Sequence, residues 1–335
     1  MMRNLTFKAA CRNLYELSRR GKLALLVHAR PDGDCIGSAY ATAVLLAAVG
    51  CNAHVVCADP LPARLRFIAE SAGLDGNITP DKLPAEFAPG NVTAVALDIA
   101  ASTQLGQLEG KYDIALSFDH HARSTPFCDR YLSPEASATG EIVWRIAREW
   151  IRMGYIDAIP ERVAPAIYAA ISSDTGCFRY SNVTPATHRT AAQLIALIPS
   201  HADIDRLLFE TKTPGRLAAE KAALDLLSFA GGGKIAVCSI SLEQISAHNL
   251  ASEDLDALID IARSVAGVEV AFSIREEAER SYRVSARSNS NIDVSSLCAY
   301  FGGGGHVKAA GCTVSAPTLE KAKALIVERA ERLIS

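Results

Sequence analysis

Ile114-Ala115-Leu116-Ser117-Phe118-Asp119-His120-His121 is an apolar run closed by three ionisable side chains. The run reads as a buried strand, and its end poses a cost. Three polar groups in succession at such a place are unfavourable unless they hold something. A carboxylate beside two imidazoles suits a divalent metal, and that donor mixture fits the borderline-to-hard end of the first-row ions. Taken alone, the tripeptide is equally a polar loop or part of a structural zinc site. The other strand ends of the chain decide the matter.

Working outward, residues 23–27, 53–57 and 92–97 are further short apolar runs, of the kind buried on both faces of a parallel sheet. The first leads into His28-Ala29-Arg30-Pro31-Asp32-Gly33-Asp34 and the third into Asp98. Between the first two lies a helical stretch, residues 36–49, rich in Ala and Leu and stopped by Gly50. Residues 1–20 read as an amphipathic helix with Leu5, Phe7, Leu14 and Leu17 as its buried positions. Strands alternating with helices predict an α/β fold with a mostly parallel sheet. Ligands of such sheets sit at the carboxyl ends of the strands, where the polar groups lie.

Residues 140–153 form an amphipathic helix with Trp144 and Trp150, capped by Ser137 or Thr139. Residues 163–171 form another, running into the turn Ser172-Ser173-Asp174-Thr175-Gly176. Thr184-Pro185 opens a helix reaching residue 198, with a cap followed by proline in the first turn. Residues 200–229 read as one more helix, interrupted near Pro214-Gly215, before Gly231-Gly232-Gly233 breaks the chain. The expected division is therefore a catalytic domain over 1–199, a helical linker over 200–230 and a smaller α/β domain over 231–335. In the last part, residues 234–240, 268–274 and 282–286 read as strands and 252–266 as a helix. Asp293 caps a short helix, residues 301–311 are glycine-rich, and residues 318–333 close the chain as a helix.

A length of 335 residues suits two domains. The net charge of −3 argues against tight non-specific binding of long nucleic acid. Nine cysteines without a Cys-x-x-Cys pair favour reduced thiols over a zinc ribbon or a disulfide scaffold, and Cys35 reads as a small helix residue. No apolar stretch has the ~18 residues that a membrane span needs, and no signal peptide is evident. A soluble cytoplasmic protein without membrane contact is expected, and a homodimer is compatible with the sequence.

His28, Asp32, Asp34, Asp98, Asp119, His120, His121 and Asp174 thus gather at strand and helix ends. Gly33 supplies backbone freedom in the first loop and Pro31 stiffens it. Crowded carboxylates raise one another's pKa. Two divalent ions roughly 3.5–4 Å apart, sharing one carboxylate, resolve that repulsion and can grip a phosphoryl group.

The set resembles the DHH phosphoesterase superfamily. Residues 28–34 are similar to its first motif, Leu97-Asp98 to its second, Asp119-His120-His121 to its third and Ser173-Asp174-Thr175-Gly176 to its fourth. Phe301-Gly302-Gly303-Gly304-Gly305-His306-Val307-Lys308-Ala309-Ala310-Gly311 resembles the glycine-rich signature of the DHH-associated C-terminal domain. The resemblance covers nearly the whole chain, and the length is most similar to the nanoRNase/pAp phosphatase branch. It implies a DHH catalytic domain with the metal site in the cleft against the second domain. It implies two Mn²⁺ ions, with His28 and Asp32 on one, Asp34, His120 and Asp174 on the other, and Asp98 bridging. It assigns Asp119 to orienting a histidine and His121 to the scissile phosphate or a proton transfer. Arg287, Gly303, Gly304, Gly305 and His306 are the implied substrate residues, with glycine N–H groups approaching a phosphate as a nest. The implied reaction is attack of metal-bridged hydroxide on phosphorus in short single-stranded RNA or 3′-phosphoadenosine 5′-phosphate. The alternatives are a phosphodiesterase for cyclic-di-AMP or pApA, a pyrophosphatase, and a nucleotide sensor without catalysis. The glycine-rich signature argues against the pyrophosphatase, and the intact motif set against the sensor.

Overall fold

The computed structural model describes residues 2–252 and 254–334, and the chain divides into two compact units, Met1–Thr211 and Lys212–Ser335. In the first unit, helix α1 (Phe7–Arg20) is capped by Thr6, whose hydroxyl accepts from Ala9 N at 3.3 Å. It buries Ala10, Cys11 and Leu14. Strand β1 (Leu23–Leu26), helix α2 (Gly33–Ala48), strand β2 (Ala53–Val56) and helix α3 (Arg66–Ala72) follow. Strands β3 (Thr93–Leu97), β4 (Asp113–Asp119) and β5 (Arg130–Leu132) complete a five-stranded sheet of order β2-β1-β3-β4-β5. Every pairing in it is parallel. Strand β5 was not expected, because three residues are too few to show a period.

The strand order reverses between β1 and β3, since β2 lies outside β1 and β4 outside β3. In an open parallel sheet that reversal parts the loops at the carboxyl ends and leaves a crevice there. His28 follows β1 and Asp98 follows β3, so the two flank the reversal point.

Helices α4 (Thr139–Arg152), α5 (Val163–Asp174), α6 (Pro185–Ile195) and α7 (His201–Asp205) finish the unit. Three expectations need correction here. Helix α2 starts at Gly33 rather than 36, because the Asp32 side chain caps it by accepting from Cys35 N at 3.0 Å. Asp34 therefore stands in the first helical turn, not in a loop. Helix α5 continues to Asp174, so this carboxylate projects from a helix end and not from a turn. Neither Ser137 nor Thr139 caps α4: the N-cap is Ala138, and the Glu141 carboxylate instead accepts from Ser137 N and Oγ, both at 2.9 Å.

Glycine sets how closely these helices approach. Gly33 does not occupy a left-handed conformation; a Cβ there would collide with the Ser173 side chain on α5. The backbone freedom expected of Gly33 is taken by Arg30, at φ 55°. A Cβ on Gly37 would run into Ala166 O and lie 2.9 Å from Ala170 Cβ, and one on Gly140 would lie 2.6 Å from the same Ala170 Cβ. Helices α2 and α4 thus both close onto α5 through missing side chains.

The stretch expected as one linker helix is not one helix. It holds α7 with a π turn at Arg206–Glu210 in the first unit. In the second unit it holds helix α8 (Pro214–Asp225) and strand β6 (Leu227–Ala230). Pro214 begins α8 rather than interrupting it, as proline suits a first turn. Strand β7 (Ile235–Ile240), helices α9 (Leu242–Ala247) and α10 (Ala257–Arg263), and strands β8 (Val270–Ala278) and β9 (Ser281–Ser288) follow. Helix α11 (Val294–Tyr300), strands β10 (Gly304–His306) and β11 (Ala309–Ser315), and helix α12 (Leu319–Ile334) end the chain. The expected helix over 252–266 contracts to a 3-10 turn at Asp254–Asp256 plus α10, and its Glu253 lies outside the described residues.

The second sheet has order β10-β11-β9-β8-β7-β6 and is antiparallel except for β7 with β8. Alternation along β7 divides its side chains between two cores. Ile235 and Val237 join α11 and α12, while Ala236 and Cys238 join α8 and α10. Among the described residues no helix is long and apolar enough to cross a membrane, and the nine cysteines are free thiols.

Candidate metal centre

The site grows from backbone geometry at three strand ends. After β1 the chain turns through Arg30 and is pinned by Ala29 N donating to Gln104 O at 2.7 Å and Arg30 N to Asp59 Oδ2 at 2.7 Å. This fixes His28, whose Nδ1 meets Ala29 O at 2.9 Å. After β3, Asp98 adopts φ 62° with its N–H on Phe118 O at 2.9 Å. A non-glycine residue with positive φ is uncommon and costs energy, and here it turns a buried carboxylate off the strand end. At the end of β4, His120 Nδ1 meets Ala136 O at 3.2 Å. With Nδ1 of both rings spent on carbonyls, Nε2 of each is the atom left as an electron-pair donor, the tautomer that metal-ligating histidines adopt.

Those two Nε2 atoms face carboxylates on every side. His28 Nε2 lies 3.6 Å from Asp32 Oδ2 and 3.7 Å from Asp98 Oδ2. His120 Nε2 lies 3.7 Å from Asp34 Oδ2, 3.6 Å from Asp98 Oδ1 and 3.6 Å from Asp174 Oδ2. Such distances are too long for hydrogen bonds, yet the groups converge. Asp98 divides its two oxygens, one toward each imidazole. His121 differs: its Nδ1 is committed to Asp119 Oδ1 at 2.7 Å, and the same oxygen accepts from His121 N at 3.2 Å.

The protonation balance shows what is lacking. Burial pushes the Asp34 carboxyl well up, and the charges of Asp98, Asp174 and Asp32 push it further. Burial first, with Asp98 and Asp32 adding to it against an opposing pull from His120, raises Asp174 to about 7. Burial would raise Asp32, but His28 outweighs it and holds this carboxyl low. Burial would lower both His28 and His121. Contacts with Cys35, Asp32 and Asp98 turn the His28 shift upward, and the Asp119 hydrogen bond with the charges of Asp98, Asp119 and Asp174 lifts His121 to about 9. Carboxyls that hold protons and imidazoles that gain them are the signature of a pocket short of positive charge.

Donor type, convergence and charge deficit together fit divalent cations. Among the described residues, three groups of donor atoms lie within 4.8 Å of one another: His28, Asp32 and Cys35; Asp98, His120 and His121; Asp34, His120 and Asp174. Cys35 is more than the small helix residue expected of it: its thiol donates to Asp32 O at 3.5 Å, and burial pushes its pKa up.

Several contributing groups carried no sequence signal. Helix α4 presents its first N–H groups to Asp34, Thr139 N to Oδ2 at 2.7 Å and Gly140 N to Oδ1 at 2.9 Å. The Ser38 hydroxyl adds a bond to Oδ1 at 3.1 Å. Asn182 Nδ2 donates to Asp174 O at 3.1 Å and to Ser137 O at 2.9 Å. The free N–H groups of a helix start attract anions, but the sequence marks neither Thr139 nor Asn182 as part of the site.

The remaining expected residues belong to the second unit. Arg287 lies on β9 opposite Ala309 of β11. Gly302 N donates to Ala299 O at 3.0 Å and Gly303 N to Cys298 O at 2.9 Å. With Gly302 at φ 74°, these bonds form the Schellman close of α11. The N–H of Gly303 is therefore spent on the helix, which corrects its place in the expected phosphate nest. A Cβ on Gly303 would lie 2.5 Å from Cys312 Cβ, and one on Gly305 2.6 Å from Ala309 O, so both glycines serve close strand packing. Gly304 has open space at its Cβ position. The expected role of the His306 side chain lies outside the described residues.

Residues 22–171 match the model of the DHH family, N-terminal domain, and residues 232–335 that of the DHHA1 domain. The bifunctional oligoribonuclease and PAP phosphatase NrnA of Thermus thermophilus is 30% identical over 312 residues, covering 92% of this chain and 89% of its own length. An exopolyphosphatase-related protein from Bacteroides fragilis shares the fold, with a TM-score of 0.86 at 24% identity over 98% of either chain. RecJ from Thermus thermophilus, solved in complex with Mn²⁺, has a TM-score of 0.54 at 15% identity, covering 99% of this chain and 56% of its own.

Proposed function

Because the chain belongs to the DHH family, with a DHHA1 domain after the DHH domain, we propose that it is a metal-dependent phosphoesterase acting on short oligoribonucleotides and 3′-phosphoadenosine 5′-phosphate. The observation that carries this reading is the division of Asp98, with Oδ2 toward His28 and Oδ1 toward His120. A carboxylate so placed suits two ions side by side. The substrate class rests on the relative whose name gives both activities, and a net charge of −3 suits short substrates better than long tracts.

We assign His28, Asp32 and Asp98 Oδ2 to one ion, and Asp34, His120, Asp174 and Asp98 Oδ1 to the other. Asp34 Oδ1 accepts two hydrogen bonds and Oδ2 one, and Oδ2 is the oxygen that faces His120, so we assign Oδ2 as its ligating oxygen. Divalent ions bound by these residues would supply Lewis acidity to the phosphoryl oxygens and would make water a better nucleophile. Imidazole mixed with carboxylate suits Mn²⁺, the ion held by the RecJ of like fold. Asp119 fixes the ring of His121 through Nδ1. His121 then contacts the scissile phosphate or hands a proton to the leaving oxygen. In the second unit, Arg287, Gly304 and His306 are assigned to substrate binding.

The test is product release with Mn²⁺ from pApA, 3′-phosphoadenosine 5′-phosphate, cyclic-di-AMP and pyrophosphate in parallel. AMP from the first two is the expected result. Cleavage of cyclic-di-AMP alone, or of pyrophosphate alone, moves the protein to another branch. No turnover with metal bound would leave a nucleotide sensor.

A further inference from the structure

Thr139 touches two of the carboxylates through two different groups. Its N–H donates to Asp34 Oδ2 at 2.7 Å, and its hydroxyl donates to Asp98 Oδ1 at 2.9 Å. Asp34 comes from α2 and Asp98 from the end of β3, so this one residue ties together groups far apart in the chain. The residue is fully buried, at 0% exposure. The hydroxyl does not serve its own helix, because Thr139 is the first residue of α4 and the cap position is Ala138. β-branching restricts χ1 to few rotamers, and the hydrogen bond to Asp98 selects the one observed.

Asp98 could otherwise rotate. Its Oδ2 lies 3.7 Å from His28 Nε2, and its Oδ1 faces His120 and His121 at 3.6 and 3.7 Å. The hydrogen bond from Thr139 is what distinguishes the two oxygens. It fixes Oδ1 on the α4 side and so leaves Oδ2 for His28.

We propose that Thr139 is a positioning residue of the metal centre: its hydroxyl fixes the rotation of the Asp98 carboxylate so that each oxygen serves a different ion. The inference rests on the two-ion reading above. Outer partners that orient ligands are typically worth about 10–100-fold in metal affinity or activity.

The experiment titrates the metal-free full chain with Mn²⁺ by calorimetry and measures kcat and KM for 3′-phosphoadenosine 5′-phosphate. It compares the wild type with Thr139→Val and Thr139→Ser. The isosteric T139V keeps the backbone donor and removes only the hydroxyl. Its Mn²⁺ affinity at one or both steps is expected to drop about 10–100-fold, with kcat reduced, KM little changed, and T139S close to wild type. If T139V titrates like the wild type, the proposal is overturned whatever happens to kcat. Failure of T139S to rescue would also overturn it, because packing rather than the hydroxyl would then be at work. Should T139V not fold, T139A carries the same expectation, since it leaves no clash. A wild type that binds no Mn²⁺ would instead sink the metalloenzyme reading itself.

Discussion

At the scale of single residues, the two histidines of the β4 end differ in the partners of their Nδ1 atoms. His120 spends Nδ1 on a backbone carbonyl and faces three carboxylates. His121 spends it on the Asp119 carboxylate. Replacing His121 by Ala should therefore lower kcat by about 10²–10⁴-fold, the range of general acid–base catalysis, while Mn²⁺ titration stays as in the wild type. Asp98→Ala should lose turnover together with bound metal, seen as fewer Mn²⁺ ions per chain. An H121A variant that sheds metal would show that His121 is a ligand and not a proton-transfer group. The eight polar residues of the site were visible in the sequence because ionisable groups at the ends of apolar runs are costly and stand out. Thr139 and Asn182 were not, because Thr and Asn are ordinary anywhere on a surface and acquire their meaning only from what the fold brings near them.

At the scale of elements, the site depends on how tightly α2 and α4 press onto α5. That closeness sets the distance from Asp34 on α2 to Asp174 at the end of α5. Gly37 is the clearest probe, being one turn beyond Asp34 and facing Ala166 and Ala170. Gly37→Ala should cost about 1–3 kcal/mol through overpacking and should weaken Mn²⁺ binding with it. Both tryptophans of the chain, Trp144 and Trp150, lie on α4 and are buried. Their fluorescence on denaturation thus reports the first unit, and an unchanged midpoint in G37A would refute the tight-packing account. The strands and most helices were legible from period and breakers. Their ends were less so, because caps such as Asp32 on Cys35 N, or helix closure by Gly302 and Gly303, depend on side-chain and backbone bonds that a pattern does not encode.

For the whole molecule, the charge deficit of the site makes stability depend on pH and metal together. The His121 pKa is raised from 6.5 to about 9. Its contribution is complete below pH 6.5 and is lost as pH rises through about 9. The Asp174 pKa is raised from 3.8 to about 7, so its contribution is complete below 3.8 and is lost as pH rises through about 7. Both run the same way. Asp32 and Asp119, whose pKa values are lowered, contribute above 3.8 and lose that only in more acid solution. The Tm of the metal-free protein should therefore fall from pH 6 to pH 9, and Mn²⁺ should flatten the fall by replacing the protons. Calorimetry at pH 6.5 in buffers of different ionisation enthalpy should show proton release on Mn²⁺ binding. A metal-free Tm that climbs over the same range would contradict this account.

The sequence alone determined the α/β class, the order of the main elements of the first unit and the ionisable side chains that gather at the strand and helix ends. Each rests on local physics: apolar runs must be buried, glycine and proline stop helices, and ionisable groups at buried ends need a partner. Only the tertiary structure decided which oxygen of Asp98 faces which histidine, that the start of α4 donates to Asp34, and that Gly302 and Gly303 close a helix while Gly303 and Gly305 allow close strand packing. Those outcomes are set by distances between elements remote in the chain, and such distances arise from packing that no local pattern carries.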